Sequence, residues 1–262
     1  MELLINAGWV TLLCCVTMFI TWLIAMKLDN YSIVDVTWSY NFPLSALLLY
    51  IISDGWGPRK LLITLCVCAW GIRLGTHLLV RILGHLHQED GRYQELRKRY
   101  GKKLKGEFLS FYGMQAASNV FLVLPFLAMT ANNTPEFSVV EYAGAAFWFL
   151  AFLGETVADR QLASFKKDPK NKGKVCNVGL WSWSRHPNYF FESMIWVGYA
   201  LMAAASPYGW LAWLCAGSIL FLLLKVTGVP MSEEQSLRSR GDAYRAYQKT
   251  TSKFIPLPPK GN

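Results

Sequence analysis

The chain has 262 residues, of which 53% are hydrophobic, 15% aromatic and only 16% charged, with a formal net charge of +9. A soluble domain of this length would spread its apolar residues in periodic stripes. Here they come in runs, which excludes an ordinary soluble fold and points to an integral membrane protein. The six cysteines show no metal-ligand spacing and lie mostly in those runs, so neither a metal site nor a disulfide framework is expected.

About 20 mostly apolar residues cross a bilayer. Seven runs qualify, at 5–26, 33–53, 61–83, 108–130, 138–161, 188–206 and 208–229. The expected fold is an all-α bundle of seven transmembrane helices forming a single membrane domain over 1–262, with cytosolic basic loops and a C-terminal cytosolic helix. The first run lacks a basic flank and a small-residue cleavage site, so it reads as a spanning helix and not as a removable signal. Basic residues concentrate in the loops 85–106 and 162–187 and in the tail from Arg238 to Lys260, whereas the alternate loops hold only Arg59 and Lys60. The positive-inside rule then puts the long loops and the C-terminus in the cytoplasm and the N-terminus outside. The positive charge reads as topology first and attraction to phosphate second; nucleic acid is not an expected partner.

In chain order, the first polar signal is Asp35, near the start of the second run, with Trp38 and Tyr40 close behind. It is either a helix N-terminal charge that complements the macrodipole, or a buried acid with a raised pKa that can donate a hydrogen bond or proton. The third run carries Arg73, His77 and Arg81 at i, i+4 and i+8, which places them on one helical face. Arg81 can snorkel outward; Arg73 is too deep for that and needs a partner, for which Asp35 is the nearest acid by topology. The segment Arg92–Lys105 reads as a basic, partly amphipathic helix suited to anionic headgroups. In the fourth run Gln115, Ser118 and Asn119 form a polar stripe that can join helices.

The fifth run ends with Glu155 and Asp159, again at i and i+4, then Arg160 and Gln161. Two acids on one face can bind a metal or accept hydrogen bonds from hydroxyls or amides; no supporting metal motif accompanies them. The most informative stretch follows, Gly179-Leu180-Trp181-Ser182-Trp183-Ser184-Arg185-His186-Pro187-Asn188-Tyr189-Phe190-Phe191-Glu192. A positive flank with an aromatic belt explains its lysine and tryptophan neighbours. It does not explain Asn188 and Glu192 entering an apolar run, where polar groups are expensive and usually bind something. An anionic cofactor is the reading that fits. The last run carries Lys225, and Ser232-Glu233-Glu234-Gln235 is a helix-start signature for a helix over 232–249. That helix is either a tail resting on the membrane or a lid over a cofactor formed with Arg240, Tyr244 and Tyr247. No Gly-x-Gly-x-x-Gly, Walker, Gly-x-Ser-x-Gly or His-Glu-x-x-His motif is present.

On these residues the chain resembles the steroid 5-alpha-reductase family, and more closely the bacterial multi-pass proteins that share its C-terminal domain. The likeness to the bacterial group runs from Val34-Asp35-Val36-Thr37-Trp38 to Phe254-Ile255-Pro256; to the steroid reductases proper it covers about 150–256, with Gly179-Leu180, Asn188, Glu192, Trp196 and Gly198 as its most specific part. The resemblance implies an NADPH-dependent enzyme that reduces the C=C bond of an apolar enone, such as a 3-oxo-Δ4 steroid, by hydride transfer to the β-carbon. It implies substrate-side helices over 1–131 and a cofactor half over 138–256. Asp159, Asn188 and Glu192 would orient the nicotinamide and ribose, and Lys166 and Lys174 stand where the family has arginines near the adenosine phosphates. Glu155 replaces a family asparagine, and Ser236 and Arg240 replace a histidine and a tyrosine. Gly179, Leu180, Trp183, Arg185, His186, Tyr189, Arg240, Tyr244 and Tyr247 complete the expected cofactor set with Glu155. Asp35, Tyr40, Arg73 and His77 form the expected catalytic set, and Asp35, Trp38 and Arg73 the substrate contacts. The expected partners are an apolar small molecule and the lipid bilayer, and the expected state is a monomer.

A neighbouring group offers a different reading. The isoprenylcysteine and phospholipid methyltransferases are similar at Arg185-His186-Pro187-x-Tyr189 and at Glu233-Glu234, which implies S-adenosylmethionine as cofactor. A transporter or scaffold without cofactor is a third class.

Overall fold

The structure, a computed structural model, describes residues 1–84 and 86–259, so Lys260 of the basic tail lies outside the described residues. Among these residues all regular structure is helical, apart from one isolated parallel bridge between Ser184 and Ser252. The helices are α1 (Glu2–Leu28), α2 (Val34–Ile52), α3 (Gly57–Leu83), α4 (Gly91–Tyr100), α5 (Leu104–Leu122), α6 (Leu124–Thr130), α7 (Val139–Lys167), α8 (Leu180–Trp183), α9 (Pro187–Ala203), α10 (Leu211–Phe221) and α11 (Val229–Thr250). Each of the seven apolar runs is mostly helix. Among the described residues four helical stretches, Glu2–Leu28, Gly57–Leu83, Gly91–Thr130 and Leu211–Thr250, are long and apolar enough to cross a membrane. The other three runs fall short: α9 has 17 residues, and polar residues such as Asp35 and Asn41 in α2, or Glu155 and Asp159 in α7, dilute the apolar signal.

The chain divides into two compact units, one of residues 1–137 with 206–209, the other of 138–205 with 210 onward. In the first, α1, α2 and α5 are joined by hydrogen bonds between side chains that would otherwise be costly in an apolar setting. Thr21 and Thr37 meet at 2.7 Å, Thr17 donates to Asn41 Oδ1 at 2.8 Å, and Asn41 donates to Asn119 Oδ1 at 3.0 Å. Asn119 and Ser118, read as a joining stripe, bond across to Trp38: Asn119 donates to its carbonyl at 3.0 Å, and its indole donates to Ser118 Oγ at 2.8 Å. Arg59 is not a loop charge: it is 1% exposed, donates to the carbonyls of Asn132, Thr134 and Glu136, and lies over Trp56 and Phe137. The basic helix expected over 92–105 stops at Tyr100, because Gly101 turns to φ +50 before α5 begins.

In the second unit α7 starts from a capping box of Ser138 and Glu141 and packs along α9. Glycines allow the close approach: a Cβ at Gly144 would lie 2.7 Å from the Met202 backbone nitrogen, and one at Gly198 2.7 Å from Trp148 Cβ. α10 ends in a π-helical turn at Leu222–Val226. α11 starts at Val229, one turn before the signature at Ser232, because Pro230 supplies the first turn and the Ser232 hydroxyl is engaged elsewhere. It is also broken at Gly241, φ +50, into two helical pieces.

Candidate functional site

Local geometry first fixes the turn before α9. Gly179 sits at φ +55 against the Gln161 amide, a position with no room for a side chain. Gln161 Oε1 accepts from Leu180 N at 2.9 Å, and the Trp181 indole donates to the Ala158 carbonyl at 2.9 Å, so α8 is tied to α7. The chain then runs extended through Ser184–His186 beside the tail. Arg185 N donates to the Ser252 carbonyl at 2.8 Å, Ser184 Oγ to the Phe254 carbonyl at 2.7 Å, and Leu257 N to the Trp183 carbonyl at 3.0 Å. Tyr247 donates from its hydroxyl to the carbonyls of Trp181 and Ser184. Pro187 opens α9, which sets Asn188, Tyr189 and Glu192 in its first turns.

Two polar groupings result. In the first, Arg185, whose side chain is 9% exposed, donates from Nε to Glu233 Oε1 at 2.7 Å and from Nη1 to the carbonyls of Gln248 and Thr251. His186 Nε2 lies 3.4 Å from the same Glu233 oxygen, and its ring stacks on Tyr189. Gln248 donates to Glu233 Oε2 at 3.1 Å, Tyr244 donates to Glu233 Oε1 at 3.4 Å, and the hydroxyls of Tyr189 and Ser232 meet at 3.0 Å. Glu233 is thus the centre of this cluster. The reductase-like reading leaves it out; the methyltransferase-like motif is the signal that includes it.

The second grouping lies on the α7–α9 seam. Asn188 Nδ2 points at Asp159 Oδ1, 3.4 Å away, while Asn188 Oδ1 is buried without a hydrogen-bond partner among the described residues. One turn along α9, Glu192 accepts from the Trp196 indole at 2.9 Å, and Glu155, 5% exposed, precedes Asp159 by one turn on α7. The remaining expected cofactor residues are peripheral: Lys166, Lys174 and Trp183 are exposed, and Arg240 donates to the Lys174 carbonyl at 2.9 Å. In the same loop burial pushes the Cys176 thiol up, against a lowering by a backbone hydrogen bond at Val178 and by the charges of Lys166 and Arg240.

In the first unit Asp35 is an acceptor. Tyr93 donates from its hydroxyl to Oδ1 at 2.5 Å and Arg92 pairs with Oδ2 at 2.7 Å. Asp90 caps α4 and binds both Arg92 and Arg81, so Arg81 ends on an acid and does not simply reach for water. Burial alone would raise the Asp90 carboxyl; the hydrogen bonds and charge of Arg92 outweigh it and hold the group below its ordinary range. Tyr40 meets Thr76 at 3.0 Å, Arg73 is half-buried and His77 exposed. Arg92 and Tyr93 are partners that no spacing rule could supply, because more than 50 residues of chain separate them from Asp35.

The family described as "Protein of unknown function (DUF1295)" matches residues 21–251. The chain belongs to this family. An uncharacterized protein of Schizosaccharomyces pombe is 27% identical over 267 residues, which span 90% of this chain and 76% of that protein. No solved structure matches the chain.

The DUF1295 match spans both units and so takes in Asp35, the seam and the Arg185–Glu233 cluster. Among the described residues no grouping of three His, Cys, Asp or Glu side chains could hold a metal ion. What the seam offers instead is acceptors, an amide oxygen and carboxylates, suited to N–H or O–H donors of an amide or a diol.

Proposed function

We propose that this DUF1295 protein is an integral membrane reductase that uses NADPH to reduce the C=C bond of an apolar enone such as a 3-oxo-Δ4 steroid. The observation that carries the reading is the buried Asn188 Oδ1 beside Asp159, which has no hydrogen-bond partner among the described residues. A buried acceptor left unsatisfied costs about 1–3 kcal/mol, a cost that a bound carboxamide N–H would remove. Asp159, Asn188 and Glu192 would hold the nicotinamide and ribose, and Lys166 and Lys174 the phosphates. NADPH, when bound, supplies the hydride for the β-carbon. The protein's part is orientation, exclusion of water and a donor for the charge that develops on the enone oxygen. Asp35, with Tyr40, Arg73 and His77, is the set proposed for that donor, and Trp38 for substrate packing. To serve as that donor Asp35, which accepts from Tyr93 and Arg92 on its two oxygens, would have to exchange one of them for substrate and take up a proton, because an ionised carboxylate only accepts. In this reading all seven apolar runs span the bilayer, the basic loops and C-terminus face the cytoplasm, the N-terminus lies outside, and the protein acts as a monomer.

One observation favours a second reading. Glu233 meets Arg185 and His186 directly, which joins the two motifs shared with S-adenosylmethionine-dependent membrane methyltransferases. Thermal unfolding in mild detergent separates the two. A ligand that binds only the native state at about 100-fold excess over Kd adds roughly 2.7 kcal/mol. Stabilisation by NADPH alone supports the reductase; stabilisation by S-adenosylmethionine alone replaces it with the methyltransferase.

A further inference from the structure

Along α7, Leu150, Leu153 and Val157 are exposed apolar residues at 66%, 43% and 43%, spaced so that they share one helical face. That face continues into a groove of about 350 Å³ lined by Val157, Arg160, Gln161, Ser164, Phe165 and Val178. Arg160 makes no hydrogen bond or ion pair with a described residue, and Lys166 and Lys167 follow in the last turn of the helix. An apolar stripe therefore ends at an available guanidinium. From Leu150 to Arg160 the helix rises about 15 Å at roughly 1.5 Å per residue, half of a hydrocarbon core of about 30 Å.

From this arrangement we propose that the groove is a site for one anionic phospholipid, its phosphate on Arg160 and an acyl chain along Val157, Leu153 and Leu150. The inference rests on the reading that α7 lies in the bilayer. A free phosphate would use Arg160 and leave the stripe bare. A single acyl chain with an anionic head uses both, and the fork of an arginine suits a phosphate diester.

The test uses the full chain with p-benzoylphenylalanine replacing Val157, reconstituted in vesicles of equal phosphatidylglycerol and phosphatidylcholine, irradiated and weighed intact. One surface cation attracts an anionic lipid by about 1 kcal/mol, so phosphatidylglycerol adducts should exceed phosphatidylcholine adducts by about fivefold. Arg160→Ala should bring the ratio to about one and Arg160→Lys should keep most of it, with thermal unfolding as the check that each variant folds. Equal capture of both lipids by the wild-type groove overturns the headgroup site while leaving α7 in lipid. Absence of any lipid adduct overturns both the site and the placement of α7. Capture of a second copy of the chain, loss of the preference on adding millimolar inorganic phosphate, or its loss with NADPH would assign the groove to a protein interface, a free phosphate or the cofactor, and each overturns the proposal.

Discussion

The Glu233 carboxylate accepts a hydrogen bond from Arg185 Nε at 2.7 Å across 48 residues of sequence, and the two side chains are 15% and 9% exposed. Charges so far from water are expensive to leave unpaired. Glu233→Ala strands Arg185 and removes an acceptor from His186, Tyr244 and Gln248. Breaking a buried pair from one side costs about 3–5 kcal/mol; the carbonyls of Gln248 and Thr251 still hold Arg185, which puts the expected loss near the lower end. Denaturant unfolding in detergent measures it. A double-mutant cycle with Arg185→Met should show coupling of about 1–3 kcal/mol, and additive single changes would mean that the pair is incidental.

Asn188 allows a sharper separation of binding from folding. Its Oδ1 has no partner among the described residues, so Asn188→Ala removes an unsatisfied acceptor and one long hydrogen bond to Asp159. Apo stability should change by less than about 1 kcal/mol, while stabilisation by NADPH should disappear. A variant that keeps the full NADPH shift removes the seam from the cofactor site.

The α7–α9 contact should be the least tolerant part of the second unit. Gly144→Ala drives a Cβ to 2.7 Å from the Met202 backbone nitrogen, an atom that cannot rotate away. Overpacking of this kind costs about 1–3 kcal/mol. At Gly217, inside α10, an added methyl would meet nothing within 4 Å; Gly217→Ala should instead gain about 0.5–1 kcal/mol. Similar unfolding midpoints for the two variants would show that the seam does not pack as described.

Thiol chemistry reports on the basic loop. Burial raises the Cys176 thiol, so at any pH below its folded value less of it is thiolate, the reactive form. Iodoacetamide at a mildly alkaline pH of about 8, near the ordinary thiol range, should modify Cys176 more slowly in the folded protein than in the unfolded chain. The rate should rise only at higher pH. Peptide mass mapping follows the reaction; equal rates in the two states mean that the loop between α7 and α8 stands open.

Legibility divides along physical lines. Helix positions were readable because apolar runs need no partner to declare themselves, and each run is mostly helix, although 108–130 is divided between α5 and α6. The Asn188–Asp159 approach was half readable, since both residues stand where polarity is costly. The roles of Arg59, Arg92 and Tyr93 were not, because each is defined by a distant partner: three backbone carbonyls for the first, Asp35 for the others. Local sequence carries periodicity and capping, and even there Gly101 and Gly241 cut short helices whose composition favours continuation.

Asp35 brings the structural and chemical readings into direct conflict. It accepts from Tyr93, 3% exposed, and pairs with Arg92. Asp35→Ala leaves the buried tyrosine hydroxyl without its acceptor, a loss of about 1–3 kcal/mol. Asp35→Asn keeps an acceptor oxygen for Tyr93 and gives up only the charge opposite Arg92, itself 47% exposed, so its effect on stability should be smaller. Turnover separates the roles. If the carboxyl serves the enone oxygen, both variants lose kcat while their NADPH-induced stabilisation stays at the wild-type value. Near wild-type kcat in Asp35→Asn, beside a destabilised Asp35→Ala, would make Asp35 the anchor of α4, and the donor to the enone would have to be sought among Tyr40, Arg73 and His77.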